Sequence, residues 1–171
     1  MKSVVGRVGA IWGVGGILAL LASAIWRLGR IAAEAMAPGL EPLEWVGLLA
    51  FAAFMVHAEG IRGFQKVFSP RVAARARHLA GHPRPWHVLL APLFCMAFFH
   101  ATRKRRIVAW SLTGAILPLI WLFGHLEQPL RGILDAGVVA GLSWGLVTVL
   151  VFALRAALEE DFSHDPALPE S

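Results

Sequence analysis

The sequence predicts an all-α integral membrane protein. Its plan is a bundle of four transmembrane helices, a short apolar segment at 86–101 that re-enters or spans as a fifth, and a basic amphipathic helix at 70–80 on the membrane surface. Three observations carry this. The chain of 171 residues is 57% hydrophobic with a mean hydropathy of +0.65, where a soluble domain would be about 45–50% apolar. The excess lies in long blocks nearly free of charge, each near the length needed to cross about 30 Å of hydrocarbon. Charge is sorted between the blocks: no acid occurs between Glu59 and Glu127, yet ten of the 16 Lys and Arg fall there.

The first block, residues 8–26, is 19 residues without a charge, preceded by Lys2 and Arg7. A retained first helix is expected. A cleaved signal is the alternative, since Ala22-Ser23-Ala24 has the small-residue pattern of a cleavage site. Residues 27–42 are polar and carry the breakers Pro38, Gly39 and Pro42, so a loop is expected. The second span covers 43–61. Ser69-Pro70 then reads as an N-cap followed by a first-turn proline, opening the surface helix 70–80. Val72, Ala76, Leu79 and Ala80 form its apolar side, and Arg71, Arg75 and His78 its polar side. The later spans cover 107–123, with Pro118 inside, and 133–154. The tail 159–171 is acidic, contains proline, and is expected to be disordered.

Residues 86–101 decide the topology. The run is 16 residues long with Pro92 inside it, short for a span. Lys and Arg in short loops collect on the cytoplasmic side. The flanks 62–84 and 103–106 are both strongly basic. If the segment dips and returns, both lie inside and both termini are cytoplasmic. If it crosses, one basic flank lies outside. The tryptophans agree with the first arrangement: Trp12, Trp86 and Trp110 fall near the inner interface, and Trp26, Trp45 and Trp121 near the outer one.

The features that bear on function are few. The basic set Arg62, Lys66, Arg71, Arg75, Arg77, Arg84, Arg103, Lys104, Arg105 and Arg106 would form a cytoplasmic layer. Such a layer attracts anionic head groups at about 1 kcal/mol per charge, or it merely orients the chain. His57, His87 and His100 would lie near the inner interface and are candidate haem or metal ligands. Their spacing matches no ligand motif, and structural histidines bonded to water or backbone are the plainer expectation. Glu59 would pair with Arg62 one turn on, and Glu127 with Arg131. Asp135 and His125 belong to the same solvated outer rim. Gly137, Gly141 and Gly145 form a small-residue stripe that packs a helix closely, within the monomer or between copies. Gly9 and Gly13 are a weaker version. Cys95 is the single cysteine, which excludes an internal disulfide and a cysteine metal cluster. Ser111 and Thr113 would bond their own backbone.

No phosphate loop, nucleophile elbow, paired catalytic carboxylates or dinucleotide fingerprint occurs, and no cofactor or metal is implied. The expected function is therefore non-enzymatic. A multi-pass protein of a bacterial cytoplasmic (inner) membrane would hold anionic membrane lipid, or dock a partner, on its basic cytoplasmic surface. A small oligomeric transporter or channel is the second expectation, and a membrane haem or redox protein using the inner-face histidines the third. The possible partners are lipid, a second copy or another membrane protein. Nucleic acid is not expected, because the basic residues border apolar helices and no binding motif accompanies them.

Overall fold

A computed structural model describes residues 3–159 and 161–169. Lys2, which precedes the first apolar block, lies outside the described residues. The fold is all-helical, and among the described residues four helical runs are long and apolar enough to cross a membrane. Helix α1 (Val4–Met36) begins at Ser3, whose hydroxyl accepts from the Gly6 amide at 3.0 Å, a side-chain N-cap. It does not stop at residue 26. Leu28 to Met36 is rich in helix formers, and Arg30 pairs with Glu34 at 3.7 Å across one exposed turn. The expected polar loop is thus largely helix, closed only by Pro38 and Gly39, the latter at φ +92°.

The second long element differs more. Helix α2 (Pro42–Met55) opens with a capping box between Glu41 and Glu44. It continues without a break through a π-helical segment (Val56–Phe68) into α3 (Ser69–Gly81), a run of 40 residues. Ser69 is therefore no helix start. Its amide still bonds Phe64 O in the wider register, and its buried hydroxyl meets Thr148 Oγ1 at 2.9 Å. Pro70 follows the change of register. A proline in a helix removes one backbone bond and crowds a carbonyl; here it falls where the ladder is already being rearranged. The surface helix of 70–80 is corrected as well: Val72 to Ala76, Leu79 and Ala80 are all buried, between α1, α7 and the segment that follows.

That segment contains two single-turn helices, α4 (Pro85–Leu89) and α5 (Ala91–Cys95), and then turns. It holds no helix of spanning length. Its path along α1 is marked by glycines: Gly9 faces Val88, Gly13 faces Ala91 and Cys95, and Gly16 faces Pro92. The chain thus runs along α1 to the middle of the apolar run 8–26, reverses after Pro92, and comes back. Helix α6 (Arg103–Gly124) then runs almost free of the others, with no buried residue. Helix α7 (Leu130–Leu158) is the centre of the bundle, packed on α1, α2, the π segment and α3. The core gathers Ile17, Val72, Leu79, Phe94, Cys95 and Val149.

Candidate functional site

The glycine stripe of α7 is consumed inside the monomer. Gly137 faces the Phe51 ring, Gly141 faces Met55 and Glu59, and Gly145 faces Phe64. Gly60 receives Trp144 in return, whose indole N–H donates to Gln65 Oε1 at 2.9 Å. This register puts Glu59 and Arg62 level with the middle of α7, where the sequence suggested the end of the second span and the basic flank after it. Glu59 lies against Gly141 rather than pairing with Arg62, and Arg62 and Lys66 are exposed along the helix shaft. On the other side of the bundle Arg131 pairs with Asp135 at 3.8 Å, not with Glu127. Asp135 is only 4% exposed, so it is no solvated edge. His125 packs against Trp121 with ring centroids 4.4 Å apart and the planes tilted by 49°, and Thr113 Oγ1 bonds Ala109 O at 3.0 Å, as expected.

The densest polar construction is built around Arg75, which is 0% exposed. Helix α3 carries it into the fold because the opposite faces of that helix are equally covered. A buried guanidinium needs acceptors for its fork of donors. The reversal after α5 supplies them. Arg75 Nε donates to Phe94 O at 2.6 Å, and Nη2 donates to Phe99 O at 3.1 Å and His100 O at 2.9 Å. Nη1 donates to Pro166 O at 2.9 Å. Ala97 and His100 adopt φ of 67° and 47°, a left-handed backbone uncommon for residues other than glycine. These two residues tighten the loop that turns its carbonyls inward. The guanidinium carbon also sits 4.2 Å from the Phe94 ring centroid, a cation–π contact.

The C-terminal tail joins this construction. Thr102 N–H donates to Ala167 O at 3.1 Å, and Asp165 Oδ1 accepts from the Ala167 amide at 2.7 Å. Ala167 is buried and Leu168 packs against the core. The tail has no helix or strand among the described residues, yet 165–168 is packed rather than free. The sequence could not show this, because the carbonyl that fixes it answers an arginine 91 residues away.

His87 and His100 meet beside Arg75, with ring centroids 4.7 Å apart, and His87 stacks on Phe94 at 4.7 Å. Burial holds both imidazoles below their ordinary value. For His87 repulsion from His100, Arg84 and Arg75 adds to this, and for His100 repulsion from Arg84 and Arg75. His57 does not join them. It is exposed on the π segment, 18 residues before Arg75 on one continuous helical run, roughly 25 Å along the axis. The three histidines are thus not one ligand set, and no group of three or more His, Cys, Asp or Glu converges among the described residues.

The ten basic residues do not form one layer. Arg62 and Lys66 stand on the shaft, and Arg75 is buried. Arg77 Nη1 donates to Glu159 O at 2.5 Å, and the same nitrogen lies 3.5 Å from Ala156 O. Arg84, Arg103, Lys104 and Arg106 are exposed at one end of the bundle. Arg71 and Arg105 there are close enough to repel, with Asp165 as a nearby offset. Among the described residues no carboxylate lies within 4 Å of Arg62, Lys66, Arg71, Arg75, Arg84 or Arg103 to Arg106. No family model matches the chain, no curated protein is similar to it, and no solved structure matches it.

Proposed function

We propose that the chain is a non-enzymatic, multi-pass protein of a bacterial cytoplasmic membrane, with both termini cytoplasmic, that holds anionic lipid at its basic end. The observation that carries this reading is the run Arg103 to Arg106. It stands at the start of α6 with no carboxylate partner among the described residues, directly before an apolar stretch that begins at Ile107. A juxtamembrane cluster of this kind is attracted to anionic head groups and screened by salt. The reversal at Pro92 supports the re-entrant topology, because it keeps Arg84 and Arg103 at the same end of the bundle. The four long apolar helices support membrane residence.

Replacing Arg103, Lys104, Arg105 and Arg106 by Gln tests the reading in protein extracted from membranes. Fewer anionic lipids are expected to stay bound in native mass spectrometry, while neutral lipids are retained equally. A single cysteine at 104, in a Cys95→Ser background, should react with an impermeant thiol reagent only after cells are opened. Unchanged anionic lipid retention, or labelling of intact cells, refutes the proposal.

A further inference from the structure

The π-helical segment lines up a column of basic side chains. Its ladder closes from i to i+5, so residues four and five apart come round to one side. The side turned to α7 shows this spacing. Glu59, Phe64 and Ser69 meet Gly141, Gly145 and Thr148, and Gly60 and Gln65 both meet Trp144. The side away from these contacts carries His57, Arg62 and Lys66, all exposed. An α-helix would turn about two and a half times between His57 and Lys66 and set them on opposite faces. Only the wider register gathers the three.

The packing on α7 gives the depth of this column. Asp135 and Arg155 bound the uncharged stretch of α7, and Gly145 is its midpoint, ten residues from each. Ten residues rise about 15 Å, half of a hydrocarbon core of about 30 Å. Phe64 packs on Gly145, and Arg62 and Lys66 stand two residues to either side of Phe64. The two cations therefore straddle the level of the bilayer centre. A cation there is costly in lipid and calls for an opposite charge or water. Among the described residues neither has a carboxylate within 4 Å. The exposed face around them is apolar, with Val46, Phe54 and Val67 open. A Cβ placed at Gly63 meets only the Ala58 carbonyl oxygen of the same helix, at 3.7 Å, so a neighbouring helix has room to approach closely beside Arg62.

Charge and depth choose the occupant. Lipid head groups lie at the membrane surface and do not reach the bilayer centre. A second copy brings no acid to the column. In the four long helical runs the acids are Glu34, Glu44, Glu59 and Asp135. Glu34, Glu44 and Asp135 lie toward the end where α1 finishes and α7 begins, and Glu59 is turned onto Gly141. Two copies meeting at this face would set cation against cation. We propose that the face docks a transmembrane helix of another membrane protein, one that carries a carboxylate at mid-membrane depth against Arg62 and Lys66. Each partner then relieves the cost of the other's charge in lipid through charge-assisted hydrogen bonds. The inference takes membrane residence from the reading above and does not depend on the lipid held at Arg103 to Arg106.

The probe is a synthetic transmembrane peptide of about 21 leucines and alanines with one glutamate at its centre, labelled as an acceptor for tryptophan fluorescence. The full chain is reconstituted with it in phosphatidylcholine vesicles, and energy transfer from the chain's own tryptophans reads association. The glutamate peptide should associate about tenfold more tightly than its all-apolar counterpart. Arg62→Gln/Lys66→Gln should remove that preference. Arg62→Glu/Lys66→Glu should turn it toward a peptide with a central lysine, which a merely misfolded variant would not do. Equal association of the glutamate and apolar peptides with wild type, or a preference that survives Arg62→Gln/Lys66→Gln, overturns the proposal. Depth is read from a spin label on Gly63→Cys in the Cys95→Ser background. It should be open to oxygen and shielded from a water-soluble nickel reagent; access to nickel overturns the mid-membrane placement. A disulfide between two copies at position 63 gives the face to a second copy and overturns the acidic partner. The Arg103–Arg106 variant should keep the peptide preference. If it does so and also keeps its anionic lipid, the lipid reading fails and the docking face stands.

Discussion

Replacing Arg75 by Met removes the guanidinium and keeps a side chain that fills much of its volume. Four carbonyls then lose a charged donor. Phe94 is fully buried, so its carbonyl gains no water and costs about 2 kcal/mol. Phe99, His100 and Pro166 lie in partly buried bonds, and each costs about 1 kcal/mol. The contact with the Phe94 ring adds about 1 kcal/mol. Against these stands the desolvation of a cation buried without a carboxylate, worth several kcal/mol in real proteins. The net loss is about 3 kcal/mol, a large part of an ordinary folding free energy. Arg75→Lys is the informative companion. It keeps the buried charge but offers one nitrogen where the guanidinium offers three, so it should be at least as unstable as Arg75→Met. The assay is SDS unfolding in mixed micelles, with amide hydrogen exchange at Thr102 as a local readout, since that N–H is bonded to Ala167 O. In both variants the midpoint should fall and Thr102 should exchange faster. An Arg75→Met protein within about 1 kcal/mol of wild type, with Thr102 exchange unchanged, would refute the view that Arg75 ties the reversal and the tail to α3.

Two further outcomes follow from the packing and from the imidazoles. At Gly145 an added Cβ would lie 2.6 Å from the Phe64 ring, so Gly145→Ala should lose about 1–3 kcal/mol to overpacking with particle mass unchanged; a variant of normal stability but altered oligomeric state would return the stripe to an intermolecular role. His87 and His100 are held below their ordinary value of 6.5, chiefly by burial. Between that value and the lower folded one, the unfolded chain binds more protons than the folded chain. The contribution of these residues to stability is therefore complete above about pH 6.5 and lost as the pH falls from there through the depressed folded values. Unfolding midpoints at pH 5.5 should lie below those at pH 7.5, and His87→Gln should shrink the difference. A flat profile in wild type counts against burial of the neutral rings.

Much of the architecture was legible because insertion-scale hydrophobicity is a local property. Residues 8–26, 43–61, 107–123 and 133–154 each lie within one of the four long apolar helices. The breakers Pro38 and Gly39 end α1, and the 16 residues of 86–101 form no spanning helix. The same logic failed wherever charge was taken to mean loop. Arg27 to Glu34 and Arg62 to Lys66 carry charges yet stay helical, because helix propensity does not depend on solvation in the way membrane insertion does.

What the sequence by itself determined is the inventory: four long apolar helices, one segment too short to join them, and a stretch from Gly60 to Leu126 with cations and no acids. These depend on each residue and its near neighbours. What only the tertiary structure decided is partnership. Arg71 and Arg75 share one polar helix face in the sequence, yet one is half-buried and the other fully enclosed. Pro166 sits in an acidic tail, and its carbonyl closes the cage. Gly141 faces a glutamate rather than a second copy. A hydrogen bond or a close approach depends on both surfaces that meet, and the surface opposite any residue here lies tens of positions away along the chain.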